Sequence, residues 1–240
     1  MKGRDYMSKK PKKITINDSV MAFGKMVQIG GAFTEQQAKK YLTDYQFSEY
    51  QRLNHFRFSN VRVTKEQLFK MAAHNVISQE ELCAKMKDKI ITVKIYSLSD
   101  KGRSFEQKVL GYDNAHYSNS KYHDVFITAK FNELSHDERM SAKPEAQIRE
   151  ELREKLDDMR ENEPEKLQEI LNKYEEKLEG FIEKFESDGG YASPVDFSYT
   201  SSTSQTMGYE IVTKDYKAFA ICYKELCCDV LGYEYEDRRV

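Results

Sequence analysis

Asp196 and Glu210 are the residues of this sequence whose type and setting could do chemistry. They fall in strand-like runs, 195–200 and 207–213, joined by the polar loop Ser201-Ser202-Thr203-Ser204-Gln205 and followed by a helical run, 215–231. Carboxylates on adjacent strands can meet at one edge and bind a hard divalent cation through oxygen, and Mg held there can activate water. A lysine beside the pair would stabilise developing negative charge, and Lys214, Lys217 and Lys224 are the candidates to reach it. The plainer alternative is a pair of exposed or capped strand carboxylates.

Other reactive sets are missing from the sequence. It has no phosphate-binding glycine loop, nucleophile elbow or zinc-protease histidine pair, which leaves ATP-driven, serine-hydrolase and metalloprotease readings without support. His55, His74, His116, His123 and His136 are scattered, and His123-Asp124 reads as a cap or surface pair. Cys83, Cys222, Cys227 and Cys228 lack metal-ligand spacing and are expected to be buried free thiols.

The elements that must position Asp196 and Glu210 lie before them. Within 144–187, Leu167, Leu171, Tyr174, Leu178, Phe181 and Phe185 follow a heptad seam among Glu and Lys. Asn162 followed by Pro164 marks a helix start, so Ile148, Leu152, Leu156 and Met159 belong to a separate, preceding helix. The two helices fold back as a hairpin, or the seam pairs two chains as a coiled-coil homodimer. Ser187-Asp188-Gly189-Gly190 is a turn, and the apolar run 123–131, which fits strand or helix, begins the second half.

The first half is basic, with Lys2, Arg4, Lys9, Lys10, Lys12 and Lys13 at its start, whereas 145–186 is rich in Glu; the net charge of -2 conceals this segregation. Val20, Phe23 and Val27 give a first helix ended by Gly30 and Gly31, and Thr34-Glu35-Gln36-Gln37 caps a second. A third helix is expected at 64–74, behind a further capping box, in preference to 48–58; Ser78 caps a helical insertion. Polar residues of that third helix, Lys65, Gln67 and Lys70, could meet base edges or phosphates. Residues 90–98 alternate as a strand, with Ile91, Val93, Ile95 and Ser97 on one face; Ser99 and Asp100 then cap a helix and Gly102 marks a turn. No apolar run reaches membrane-spanning length and the basic start lacks an apolar stretch, so a cytoplasmic protein with no membrane partner is expected.

The wording Tyr96-Ser97-Leu98-Ser99-Asp100-Lys101-Gly102-Arg103 resembles the strand that leaves the wing of many bacterial winged-helix DNA-binding domains. The order of Asp196, hairpin, Glu210 and helix resembles the PD-(D/E)XK nuclease fold, which places a lysine two residues beyond the second carboxylate. Here Pro194-Val195-Asp196 replaces an adjacent Pro-Asp, and Val212 occupies the lysine position. Together the two halves are similar to the replication-relaxation type of proteins carried by plasmids and other mobile elements.

The resemblance implies an α+β protein. Residues 1–16 are expected to be a disordered basic tail, 17–112 a winged helix-turn-helix, and 120–240 a small α/β nuclease-like domain with a charged helical hairpin or coiled coil inserted at 144–187. It implies binding of double-stranded DNA through Arg62, Lys65, Gln67, Lys70, Lys94, Lys101 and Arg103, in regulation, replication or transfer. The back half is expected to be degenerate, without catalytic residues, metal or cofactor, because no lysine of the last helix is expected to reach the carboxylates. Were it active, Asp196 and Glu210 would hold Mg or Mn, with Lys217 or Lys224 beside them. A metal-dependent DNA nuclease and a coiled-coil scaffold are the alternatives.

Overall fold

The computed structural model describes residues 14–113, 120–178, 180–183, 185, 194–213 and 218–240. Helix α1 (Asp18–Gly30) begins where the Asn17 side chain accepts from the Val20 amide, and it ends at Gly31, whose φ of 71° a side chain would resist. A short strand β1 (Ala32–Phe33) leads to α2 (Glu35–Ala38) and α3 (Asp44–Arg52), started by the reciprocal capping boxes Thr34/Gln37 and Thr43/Gln46. Strand β2 (Phe56–Arg62), α4 (Lys65–Ala73), α5 (Gln79–Lys85) and β3 (Thr92–Leu98) follow. Helix α6 (Asp100–Phe105) continues as a π-helical turn, Glu106–Leu110.

The first sheet is antiparallel with order β1-β3-β2, so β3 is its centre and meets Phe33 on one side and Phe58 on the other through Tyr96. Val93 and Ile95 are buried on one face of β3 while Lys94 is exposed on the other, as the alternation requires. On the Lys94 face, toward the other end of the strand, Phe33, Phe56 and Tyr96 pack with Phe23 of α1 and with Phe47 and Tyr50 of α3, Tyr50 stacked on Phe56 at 4.8 Å and Phe23 edge-on to Phe33 at 5.3 Å. Each such pair adds about 0.5–1.5 kcal/mol beyond its burial.

Several expectations for this half are corrected. The helix at 64–74 is present as α4, but it lies between β2 and β3, and after it the amides of Val76 and Ile77 both turn back to the Met71 carbonyl. The run 48–58 spans the end of α3, a turn through left-handed Asn54 (φ 57°) and the start of β2. Gly102 sits inside α6, where a Cβ would lie 2.1 Å from the His55 carbonyl oxygen. Of the tail, residues 14–16 are described, and Ile14 packs partly against the core; residues 1–13 lie outside the described residues.

The apolar run at 123–131 resolves as helix α7 (Lys121–Glu133), buried from Asp124 to Phe131. Its length is covered because α1 and β1 pack on it from the first half and β6 from the second. After α8 (His136–Ser141) come β4 (Lys143–Pro144), α9 (Glu145–Asn162) and α10 (Pro164–Tyr174), whose N-cap is Glu163, with Pro164 in the first turn. Strands β5 (Phe197–Thr200) and β6 (Thr206–Val212) form the expected hairpin. Helix α11 (Ala218–Leu231) crosses over to β7 (Glu234–Arg239), which runs parallel to β6.

The second sheet has order β4-β5-β6-β7. Phe197, Tyr199, Tyr209 and Ile211 join the core that α7 shares with the first half, while Ile148, Val195 and Cys228 fill the opposite face. The heptad seam is covered inside the chain: Leu167, Leu171, Tyr174, Leu178 and Phe185 pack with Leu152, Leu156 and Met159 of α9 and with Tyr223, Leu226 and Val230 of α11. An intramolecular hairpin therefore uses the surface that a coiled-coil dimer would need. All four cysteines are free; Cys227 and Cys228 are buried, but Cys83 is exposed, against expectation. No helix among the described residues is long and apolar enough to cross a membrane. The turn at Ser187 to Gly190 lies outside the described residues.

A candidate metal centre

The antiparallel register of β5 and β6 brings Asp196 and Glu210 together. Asp196, just before β5, donates its amide to the Tyr209 carbonyl at 3.0 Å, and its Oδ2 accepts from the Ile211 amide at 2.7 Å. Glu210 lies inside β6, in register with Asp237 of β7. From α11, Lys224 reaches over the sheet and donates to Glu210 Oε2 at 2.9 Å. Both carboxylates and the ammonium are buried. The expectation that no lysine of the last helix reaches the carboxylates is thus overturned at Glu210, which Lys224 meets. Lys214 and Lys217 lie outside the described residues.

The third donor comes from the first turn of α7, where the Ser120 hydroxyl caps the His123 amide. His123 Nε2 is 2.9 Å from the Ile211 carbonyl oxygen and 3.3 Å from Asp196 Oδ2, and Nδ1 is 3.3 Å from Asp124 Oδ1. The pair expected at the surface is therefore part of the site, with Asp124 buried. One ligand atom from each of His123, Asp196 and Glu210 lies within 4.8 Å of the others.

Charge balance explains how this cluster is tolerated away from water. Burial pushes the His123 imidazole toward neutrality, but hydrogen bonds that it donates to Asp124 and Asp196 and their charges outweigh it, raising its pKa to about 10. Two basic side chains, His123 and Lys224, thus meet three carboxylates, Asp124, Asp196 and Glu210, in one buried cluster. Two carboxylates and an imidazole form a mixed oxygen and nitrogen set suited to Mn or Zn as well as Mg. His123 Nε2 can join that set only by giving up its proton and its bond to the Ile211 carbonyl.

The sequence-predicted DNA-binding residues occupy varied settings. Arg62 and Lys94 are exposed on one face of the first sheet. Lys65 and Lys101 are exposed in the first turns of α4 and α6, Lys70 pairs with Glu66 at 3.1 Å, and Arg103 pairs with Asp100 at 3.4 Å. Gln67 completes the cap of α4, where its Oε1 accepts from the Thr64 amide at 2.9 Å.

His123 is the site residue that sequence reasoning missed. Its signal is a capping serine followed within one turn by His-Asp and then by an unbroken apolar run, the start of a helix too buried to show an amphipathic period. No protein-family model matches the chain, and neither a curated protein nor a solved structure shows significant similarity to it.

Proposed function

We propose that this chain binds nucleic acid through its first half and hydrolyses phosphodiester bonds at a divalent cation held in its second. The observation that carries the reading is the convergence of His123, Asp196 and Glu210 within 4.8 Å, with Lys224 bonded to Glu210. A carboxylate just before β5 and another within β6, then a crossover helix and a parallel strand, follow the order expected of a PD-(D/E)XK-like module. The lysine arrives from α11 in place of the strand position. His123, Asp196 and Glu210 would hold the cation, which when bound supplies a water of lowered pKa and positive charge for the phosphate. Lys224 holds a second positive charge at the same carboxylate, where it can orient water and stabilise the charge that develops.

The first half supports the nucleic-acid part of the reading. Three helices, α1 to α3, and a sheet of order β1-β3-β2 are what a winged helix-turn-helix requires, with α3 in the recognition position and α4 and α5 inserted between the strands of the wing. A DNA-acting protein of a mobile element is the setting that fits both halves.

Incubation of the purified chain with supercoiled and single-stranded DNA in Mg or Mn tests this. Cleavage is expected, stopped by chelation and lost in Asp196→Asn, Glu210→Gln and Lys224→Ala. A second reading, a DNA-binding protein with an inactive nuclease-like module, is favoured by one observation: Lys224 already neutralises Glu210, and Asp196 Oδ2 already serves the Ile211 amide. Salt-sensitive DNA binding without cleavage in either metal would select it.

A further inference from the structure

One face of the first sheet is covered by aromatic rings at its Phe33, Phe56 and Leu98 end and exposed at its Phe58, Lys94 and Arg62 end. Strands β2 and β3 pair from Phe56 to Arg62, and opposite residues share a face, so Phe58, Asn60 and Arg62 stand beside Thr92, Lys94 and Tyr96. Neither strand contains an acidic residue. Lys94 and Arg62 are exposed, and no ion pair involves either among the described residues.

In the middle of this face the Phe58 ring is 57% exposed, although the ring opposite it, Tyr96, is only 2% exposed. Tyr96 is held on this same face by Phe33, its partner across β1, and by the edge of Phe47, and it takes a hydrogen bond on its hydroxyl from Gln51 of α3 at 3.3 Å. Phe58 therefore rests on a fixed support, 6.2 Å from the Tyr96 centroid, with the Lys94 ammonium 4.3 Å from its own centroid. A single exposed apolar side chain needs no explanation. An exposed ring on a rigid, acid-free face with cations beside it matches a polyanion whose bases also offer flat faces.

We propose that this face seats a single-stranded nucleic-acid segment, an unpaired base stacking on Phe58 while Lys94 and Arg62 hold the adjoining phosphates. In a duplex the bases are stacked on one another and cannot cover the ring, so the substrate class is an unpaired strand, alone or at a fork or flap. The other side of β2 leads to the candidate metal centre: Ser59 Oγ accepts from Lys121 Nζ at 2.5 Å, and Lys121 precedes His123 on the first turn of α7. This deepens the reading of the chain as a nucleic-acid phosphodiesterase and rests on it for the cleavage of the bound strand; the binding itself needs no metal.

The test is fluorescence anisotropy in EDTA with labelled single-stranded, duplex and forked oligonucleotides, supplemented by 2-aminopurine emission, which stacking quenches. The full-length chain is expected to prefer single-stranded and forked DNA and to quench the probe. Phe58→Ala should weaken single-strand binding roughly ten-fold and abolish quenching, Phe58→Trp should retain both, and Lys94→Ala with Arg62→Ala should flatten the salt dependence. An unchanged melting temperature shows that Phe58→Ala remains folded. Equal affinity of wild type for single strand and duplex, or wild-type binding by Phe58→Ala, would overturn the proposal. So would a change of oligomeric state in Phe58→Ala with nucleic-acid binding intact, since the face would then dock protein. Because no step requires cleavage, failure of the metal centre leaves these outcomes unaffected.

Discussion

Lys224 Nζ stands 2.9 Å from Glu210 Oε2 across the interface of α11 and β6, and both side chains are buried. Removing one member of such a pair leaves a charge in a low-dielectric interior, whereas removing both leaves only a packing defect. Lys224→Met is expected to cost about 3–5 kcal/mol, and Lys224→Met with Glu210→Leu to recover most of that loss. Urea unfolding of the single and double variants checks the claim; additive losses would show that the two side chains do not act as a pair.

Gly102 is required by closeness rather than by φ. A Cβ there would fall 2.1 Å from the His55 carbonyl oxygen, a backbone atom that also accepts from the Ser99 amide at 2.8 Å. Gly102→Ala must therefore pry α6 from the start of β2, at a cost of at least about 3 kcal/mol, the upper end of overpacking losses. Gly111→Ala, at φ 75° with nothing within 4 Å of a built Cβ, should cost about 1–2 kcal/mol through backbone strain alone. Thermal melts of the two variants rank the effects; equal losses would refute the contact argument.

Glu106, in the π-helical turn, makes the first half sensitive to pH. Neither carboxyl oxygen has a hydrogen-bond partner among the described residues, and burial raises the pKa from 4.5 to about 8. The folded protein thus holds a proton that the unfolded chain releases near 4.5. Its stabilising effect is complete below that value and is lost as pH rises through about 8. Stability should fall by at most about 1.4 kcal/mol per pH unit across that window. Glu106→Gln, neutral throughout, should remove this slope; a slope identical to wild type would place the proton elsewhere.

Legibility in the sequence followed the range of the signal. The capping boxes at Thr34 and Thr64 and the hairpin of β5 and β6 are local patterns, and they appear where the residues put them. Strand β2 is hidden because Arg57, Asn60 and Arg62 dilute its alternation, and because a short turn through Asn54 joins it to α3, so a helical reading runs across the join. Helix α7 has no clear period because protein covers it on opposing sides. The candidate site divides in the same way. Asp196 and Glu210 are legible as a pair because a hairpin joins them, whereas His123 and Lys224 arrive on helices whose placement depends on the packed core.

If the cluster is a cation site, the metal must stabilise the fold with or without chemistry. A ligand that binds only the native state adds RT ln(1 + [L]/Kd), about 2.7 kcal/mol at a hundred-fold excess over Kd. Mn is the first ion to try, because an imidazole and two carboxylates offer nitrogen as well as oxygen. The melting temperature should rise with Mn concentration in wild type and stay flat in Asp196→Asn and Glu210→Gln. His123→Gln should weaken the response to Mn more than the response to Mg, since it removes the nitrogen donor and leaves both carboxylates. Asp237→Asn provides the control: Asp237 lies in register with Glu210 on β7 but outside the converging group, and it should respond as wild type does. A rise that persists in both carboxylate variants would place the ion elsewhere. No rise in wild type would mean that Lys224 and the His123 proton hold the centre closed to metal.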